Sequence, residues 1–304
     1  DILMYKKKSL TNSKRLANIV NSIESRLGIF DIVLSNLPET DYLVKQIKHE
    51  NTFYVIHTTF YKAYINNKGF FKRIRRLAKY RKLYNNENII TVSDGAQLDF
   101  LQNMKIRPQS IQTIHNPINF DMVTKRSKDL DVQIPAENYI LHIGNYGTVK
   151  RHDILLKSFK LSGLECRLVL IGSNVESHMK QLVMDLNLEK QVIFMGFVAN
   201  PYPIIKNAKL LVVSSEFEGF PMVIPEALAL GCEVVSTNCE SGPREILTGK
   251  LAENLVKVND ILQMSEKIKE VYLRNQENII NDFTGYIKHL DSKTIASKYI
   301  ELLT

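Results

Sequence analysis

The chain has 304 residues, 44% hydrophobic and 24% charged, with a formal net charge of +8. That length supports two ordinary domains, each with a core of its own. No apolar run approaches the ~18 residues of a membrane-spanning helix, and the opening DILMYKKK does not read as a signal peptide. Cys166, Cys232 and Cys239 lie in or beside apolar stretches without metal-ligand spacing, so they read as buried thiols of a reduced compartment. The charge is uneven. Up to residue 131 there are 22 Lys and Arg against 12 Asp and Glu, and the remainder has 18 against 20. A basic first half calls for an anionic partner.

In chain order, ILMY (2–5), DIVLS (31–35), TFYVIH (52–57), IITVS (89–93) and IQTIH (111–115) read as strands, about five in this half. KRLANIVNSIESRL (14–27) and GAQLDFLQNM (95–104) read as helices between them. Strands and helices alternating at this spacing predict a parallel sheet covered on both faces. Residues 118–137, INFDMVTKRSKDLDVQIPAE, break the rhythm and read as an interdomain crossing.

The alternation resumes with YILHIG (139–144) and RLVLIGS (167–173). VIFMG (192–196), LLVVSS (210–215) and EVVST (233–237) follow. Helices are predicted near 151–161, 175–187, 200–207, 222–230 and 243–248. This is a second doubly wound α/β domain, with a helical tail after about residue 258. Two such domains facing each other would form a cleft at the carboxyl ends of their strands, where open α/β sheets bind ligands.

The stretch EFEGFPMVIPEALALGCEVVST (216–237) carries the most specific signal. Pro225 is tolerated only in a first helical turn, so a helix must begin near residues 222–223. Gly231 marks its end. Gly219 would let the backbone turn sharply and approach a ligand. The helix amino end suits a diphosphate. Glu218 on the loop and Glu226 a turn inside the helix are suited to accept hydrogen bonds from hydroxyls such as those of a hexose and a ribose.

With these residues in view, the chain resembles the retaining glycosyltransferases of family 4, which have the GT-B fold. VVSSEFEGFPMVIPEALALGCEVVST is similar to their donor-site signature, and the likeness reaches through VSDGAQLDFL and IHNPI (114–118) in the first half. The resemblance implies a metal-independent enzyme with no cofactor. Glu218 would contact the transferred sugar and Glu226 the ribose. Gly219, Phe220, Pro221, Met222 and Val223 would bring backbone toward the sugar and diphosphate. ILHIGNYGTVKRHDILLKSF (140–159) matches the family's Gly-rich loop, with Gly144 and Asn145 near the phosphates and Lys150 and Arg151 neutralising the leaving diphosphate. Where the family often has Arg after the strand-ending Gly, this chain has Asn145, which leaves more of that task to Lys150 and Arg151. VIFMGFVANPY (192–202) places Phe197 and Val198 at the nucleobase. CESGPREIL (239–247) resembles a subgroup that uses UDP-hexoses or UDP-N-acetylhexosamines, with Arg244 and Glu245 near the donor pocket. His57 would sit near the sugar and the acceptor.

The likeness also implies the domain roles: 1–134 as an acceptor-binding Rossmann-like domain, 135–280 as the nucleotide-sugar domain, and 281–304 as a helical segment packing back toward the first. The family opens on a strand and a Gly-rich loop that this chain lacks before Asp1, so the first domain reads as incomplete at its start. KGFFKRIRRLAKYRKLY (68–84) holds eight basic residues and no acid. With Phe70, Ile74 and Leu77 on one helical face, it suits an anionic membrane surface or a lipid-linked acceptor, and hence a cytoplasmic protein peripheral on the inner face of the membrane. Nucleic acid is a poor match, since no stacking series or recognisable binding fold is present. Asp129 and Asp131 resemble a metal-binding D-x-D, but they lie in a polar segment and not after a strand, so no metal is assigned. Two rivals remain open. A sugar-nucleotide epimerase on the same fold would release free hexosamine without acceptor, and a non-catalytic basic lipid-binding module would bind no nucleotide.

Overall fold

The computed structural model describes residues 2–47, 49–129, 131–275 and 282–303. The chain divides into two compact units, Asp1–His115 with Ile295–Thr304, and Asn116–Thr294.

The first unit opens with a 26-residue helix, α1 (Ile2–Leu27). ILMY, read above as a strand, is its first turn. A four-residue apolar run does not distinguish strand from buried helix, and no Gly or Pro interrupts Ile2–Leu27. Gly28, at φ 96°, ends the helix with its N–H on the Glu24 carbonyl. There follow β1 (Val33–Ser35), α2 (Pro38–Val44), β2 (Thr52–Ile56), α3 (Phe70–Tyr84), β3 (Asn88–Thr91), α4 (Asp94–Leu98) and β4 (Ser110–Thr113). Among the described residues the unit therefore has four strands and not five, all parallel in the order β1-β2-β3-β4. The helix expected over 95–104 divides into α4, capped by the Ser93 hydroxyl, and a wider π-type turn at Asp99–Asn103. Its core is aromatic: Tyr54, Phe60, Tyr80, Tyr84 and Phe100 meet at ring centroid distances of 4.8 to 6.4 Å, mostly edge to face.

The second unit begins where the sequence suggested a crossing. Ile118 forms a parallel bridge with Asp291, and residues 120–126 fold as α5 (Phe120–Arg126), capped by the Asn119 side chain. Val123 supplies the apolar anchor that polar composition concealed. Then come β5 (Tyr139–Ile143), α6 (His152–Ser162), β6 (Arg167–Ile171), α7 (Val175–Asp185), β7 (Val192–Gly196), α8 (Tyr202–Asn207) and β8 (Leu210–Val213). α9 (Val223–Ala229), β9 (Val234–Thr237), α10 (Pro243–Ile246), β10 (Leu255–Val256), α11 (Ile261–Arg274) and α12 (Thr284–Ile287) complete it. The final helix, α13 (Ser292–Ile300), belongs to the first unit from Ile295 onward.

All six strands are parallel, in the order β10-β9-β8-β5-β6-β7. The chain winds one way from β5 and the other way from β8. The loops leaving those two neighbouring strands therefore part, which is where doubly wound sheets bind ligands. The strands are nearly continuous apolar runs because helices cover both faces.

Candidate active site

Two loops define the site, Gly144–Arg151 after β5 and Ser214–Met222 after β8. They are bonded to each other. The Glu216 N–H donates to the Val149 carbonyl at 2.8 Å, and the Ser214 hydroxyl donates to the Lys150 carbonyl at 2.8 Å. Across this junction the Lys150 ammonium meets Glu218 Oε1 at 2.7 Å, and the Ser215 hydroxyl donates to the same oxygen at 2.6 Å. The carboxylate is the more sheltered partner, its side chain 12% exposed against 33% for Lys150. In that setting removal of either charge strands the other.

The turn before α9 is fixed from behind. α9 begins at Val223, with Pro225 in its first turn and Gly231 at φ 77° just beyond it, as the sequence predicts. The chain bends at Gly219, as the sequence suggests. Gly219 is not among the residues with positive φ, and the left-handed glycine here is Gly242, at φ 86°. A Cβ on Gly242 would stand 2.6 Å from Pro221 Cδ and 2.9 Å from the Gly219 carbonyl. The buried Ser241 hydroxyl donates to that carbonyl at 2.8 Å. Phe220 and Pro221 are buried, while Met222 and Val223 are half-buried. α9 has only seven residues, so its dipole is short and Lys150 is the main positive charge beside Glu218.

The β5 loop is held by its neighbour. Gly144 N–H donates to the Ile171 carbonyl at 2.9 Å, and the Asn145 side chain accepts from Ser173 N–H at 2.9 Å. Asn145 thus takes a structural bond. Arg151, at φ 50°, turns its guanidinium to both Asp153 oxygens at 2.9 Å and to Asn259, which depresses the Asp153 pKa. It is not brought together with Lys150 and Glu218.

Beneath this loop lie two buried histidines, with rings edge to face at 4.7 Å. His142 Nδ1–H donates to the Val212 carbonyl at 2.8 Å, and burial lowers its pKa to about 3, so it is neutral. His152 is likewise lowered by burial.

Glu226 lies on α9, half-buried. Desolvation raises its pKa, opposed by the Tyr202 hydroxyl, which donates to Oε1 at 3.2 Å, and by the Arg126 charge. Phe197 is 74% exposed at the end of β7, so it is not a core residue, and Val198 beside it is half-buried. Arg244 and Glu245 serve local geometry: Arg244 Nε donates to the Cys239 carbonyl at 2.8 Å, and Glu245 accepts from Gly242 N–H at 3.2 Å. Asp129 accepts from Asp131 N–H and from the Asn200 amide. Among the described residues, no group of three or more His, Cys, Asp or Glu side chains is placed to hold a metal.

In the first unit, His57 Nε2 lies 3.0 Å from Asn36 Oδ1, and partial shielding of its ring lowers its pKa. The basic helix α3 buries Tyr80, Leu83 and Tyr84 and presents Phe70, Phe71 and Ile74, which are 71%, 85% and 52% exposed.

Ser215, Ser241, Gly242, Tyr202 and Arg126 were not singled out from the sequence as site residues. Ser215 ends an apolar strand and Ser241–Gly242 precede a proline, which are usable signals. Nothing local marks Arg126, 76 residues before Tyr202 in a polar stretch.

The family model for glycosyl transferases group 1 matches residues 127–286. A curated relative from Campylobacter jejuni, N-acetylgalactosamine-N,N'-diacetylbacillosaminyl-diphospho-undecaprenol 4-alpha-N-acetylgalactosaminyltransferase, is 30% identical over 182 residues, 60% of this chain and 49% of that one. The lipopolysaccharide 1,6-galactosyltransferase of Salmonella typhimurium is 30% identical over 149 residues, 47% of this chain and 40% of that one. The chain spans about half the length, or less, of these curated relatives. The crystal structure of Anabaena HepE with UDP and glucose superposes with a TM-score of 0.76 at 19% identity, covering 94% of this chain and 80% of that one. The fold is GT-B, with two Rossmann-like parallel sheets.

Proposed function

This chain belongs to the glycosyl transferases group 1 family, and on that premise we propose that it moves a hexose or N-acetylhexosamine from a UDP-sugar to a glycan or lipid-linked acceptor, with retention at the anomeric carbon as in family 4. The observation that carries this reading is the Lys150–Glu218 pair at the β5/β8 switch point, with Glu226 eight residues further on. Glu218 accepts hydrogen bonds from the sugar hydroxyls and positions the ring. An ammonium has three donors, so Lys150 keeps its carboxylate partner while a second N–H reaches the leaving phosphate, whose charge grows in the transition state. The N–H groups of Gly219, Phe220, Met222 and Val223 (Pro221 has none) and the Gly144–Asn145 loop take the remaining phosphate contacts, and Arg151 joins them only by releasing Asp153. Glu226 holds the ribose, and the exposed Phe197 with Val198 faces the base. No metal is required where a cation balances the diphosphate. The acceptor hydroxyl attacks the face that UDP leaves.

The acceptor side is assigned to the first unit. His57 is an acceptor-side residue in this reading. Phe70, Phe71 and Ile74 with Lys72 and Arg75 form a basic, apolar helix end suited to an anionic inner membrane leaflet. None of the described helices is long and apolar enough to cross a membrane. The names of the Campylobacter and Salmonella relatives favour bacterial surface polysaccharide or lipopolysaccharide synthesis.

The test is UDP release from UDP-Glc, UDP-Gal, UDP-GlcNAc and UDP-GalNAc, with and without lipid-linked acceptors, followed by NMR of the product anomer. Acceptor-dependent UDP release with the α configuration kept is expected. Free hexosamine without acceptor would favour the epimerase, and no turnover of any nucleotide sugar would overturn the reading.

A further inference from the structure

The carboxylate of Glu226 is not left to itself. From α8, the Tyr202 hydroxyl donates to Oε1 at 3.2 Å, and Oε2 has no partner among the described residues. Tyr202 is 7% exposed, so its ring is fixed by packing. Arg126, at the last position of α5, lies over that ring at 5.3 Å and donates from Nη2 to the Ala199 carbonyl at 3.1 Å. The Asn200 amide returns a bond to the Arg126 carbonyl at 3.0 Å and another to Asp129 at 3.2 Å. Three segments distant in sequence thus form one hydrogen-bonded and cation–π unit: the end of α5, the loop 197–201 with the start of α8, and the first turn of α9.

Resting on the donor-site reading above, we propose that Tyr202 and Arg126 are positioning residues for the nucleotide. Tyr202 occupies one oxygen of Glu226 and leaves the other for a ribose hydroxyl, and Arg126 locks the base-facing loop to that carboxylate. The ligand class is a ribonucleoside diphosphate, whose sugar and base are then read by one rigid piece instead of two independent loops.

The electrostatics support the geometry. Burial pushes Glu226 up, and Tyr202 first and Arg126 second push it down. The other elements against α9 bring no competing group. Arg244 and Glu245 of α10 bond to Cys239 and Gly242, Tyr286 of α12 lies against Gly249, and β9 carries no titratable side chain. A ribose hydroxyl needs the carboxylate as acceptor, so removing the Tyr202 hydroxyl should move the acid loss of binding to higher pH.

The experiment is calorimetry of UDP on the full chain between pH 5 and 8, for wild type, Tyr202→Phe, Arg126→Met and Glu226→Gln, with thermal unfolding as a check on the fold. Tyr202→Phe keeps the ring and its cation–π contact. It should bind UDP about tenfold more weakly, the usual worth of a lost hydrogen bond to a charged group, with its acid limb displaced upward. Arg126→Met should weaken binding less and displace the limb in the same direction. Glu226→Gln should weaken binding and abolish the limb. Tyr202→Phe with wild-type affinity and an unmoved limb would overturn the inference while the donor-site reading stands. Absence of UDP binding in wild type would strike the donor-site reading itself.

Discussion

The two sheets use their polar side chains differently. In the second unit, polar groups at the strand ends bind neighbouring loops: Ser214 to Lys150, Ser215 to Glu218, Asn145 to Ser173, Ser241 to Gly219. In the first unit they brace the interior and leave the surface charged. Asp41 takes bonds from Ser35 and Tyr84, Lys45 caps the end of α3 at Lys82 and Leu83, and Asp99 receives Tyr61 N–H. The first pattern makes a preorganised platform, which small nucleotide recognition rewards. The second makes a firm base for an adaptable surface, which suits a variable acceptor or a membrane.

The comparison breaks most sharply at the platform's glycines. Gly172, at φ 154°, would place a Cβ 2.1 Å from the Gly144 carbonyl. Gly172→Ala should destabilise the second unit by ~3 kcal/mol or more through overpacking and strain, seen as a fall in denaturant midpoint with loss of UDP binding. Next comes chemistry. Glu218→Ala should lower kcat ~100-fold with KM for donor little changed, as expected for a group that acts mainly on the transition state. Equal loss in both parameters would make Glu218 a binding residue only.

The first unit offers a pH test of its brace. Burial raises Asp41 from 3.8 to about 6, against the hydrogen bonds from Ser35 and Tyr84. A group with a raised folded pKa stabilises the fold below its unfolded pKa, and that contribution is lost as pH rises through the folded value. The first unit should therefore lose ~1–3 kcal/mol between pH 4 and 6, and Asp41→Asn should flatten that slope in urea titrations at stepped pH. The smallest effect belongs to the surface. Lys72→Gln with Arg75→Gln should weaken binding to vesicles with anionic lipid about thirtyfold, at ~1 kcal/mol per charge, while UDP affinity is unchanged.

What could be read from sequence follows the same division. In the second unit, uninterrupted apolar strands, Pro225 and Gly231 fixed β8, the loop and α9 to within two residues, because local sterics decide those boundaries. ILMY misled because four apolar residues suit either periodicity, and α5 was hidden because Val123 is its one buried side chain, in a stretch of mixed charge. Glu218 and Lys150 were visible as types suited to sugar and phosphate, but their mutual bond was not, since it joins residues 68 apart. Gly242 was missed because which glycine takes positive φ depends on what packs behind it. Arg126 needed the tertiary structure outright, because its partners lie on α8 and the preceding loop.

The most direct measurement is a crystal of the protein soaked with millimolar UDP. The account predicts density with the diphosphate beside Lys150, the ribose at Oε2 of Glu226 and the base against Phe197. Nucleotide bound elsewhere, or none at that concentration, would contradict it.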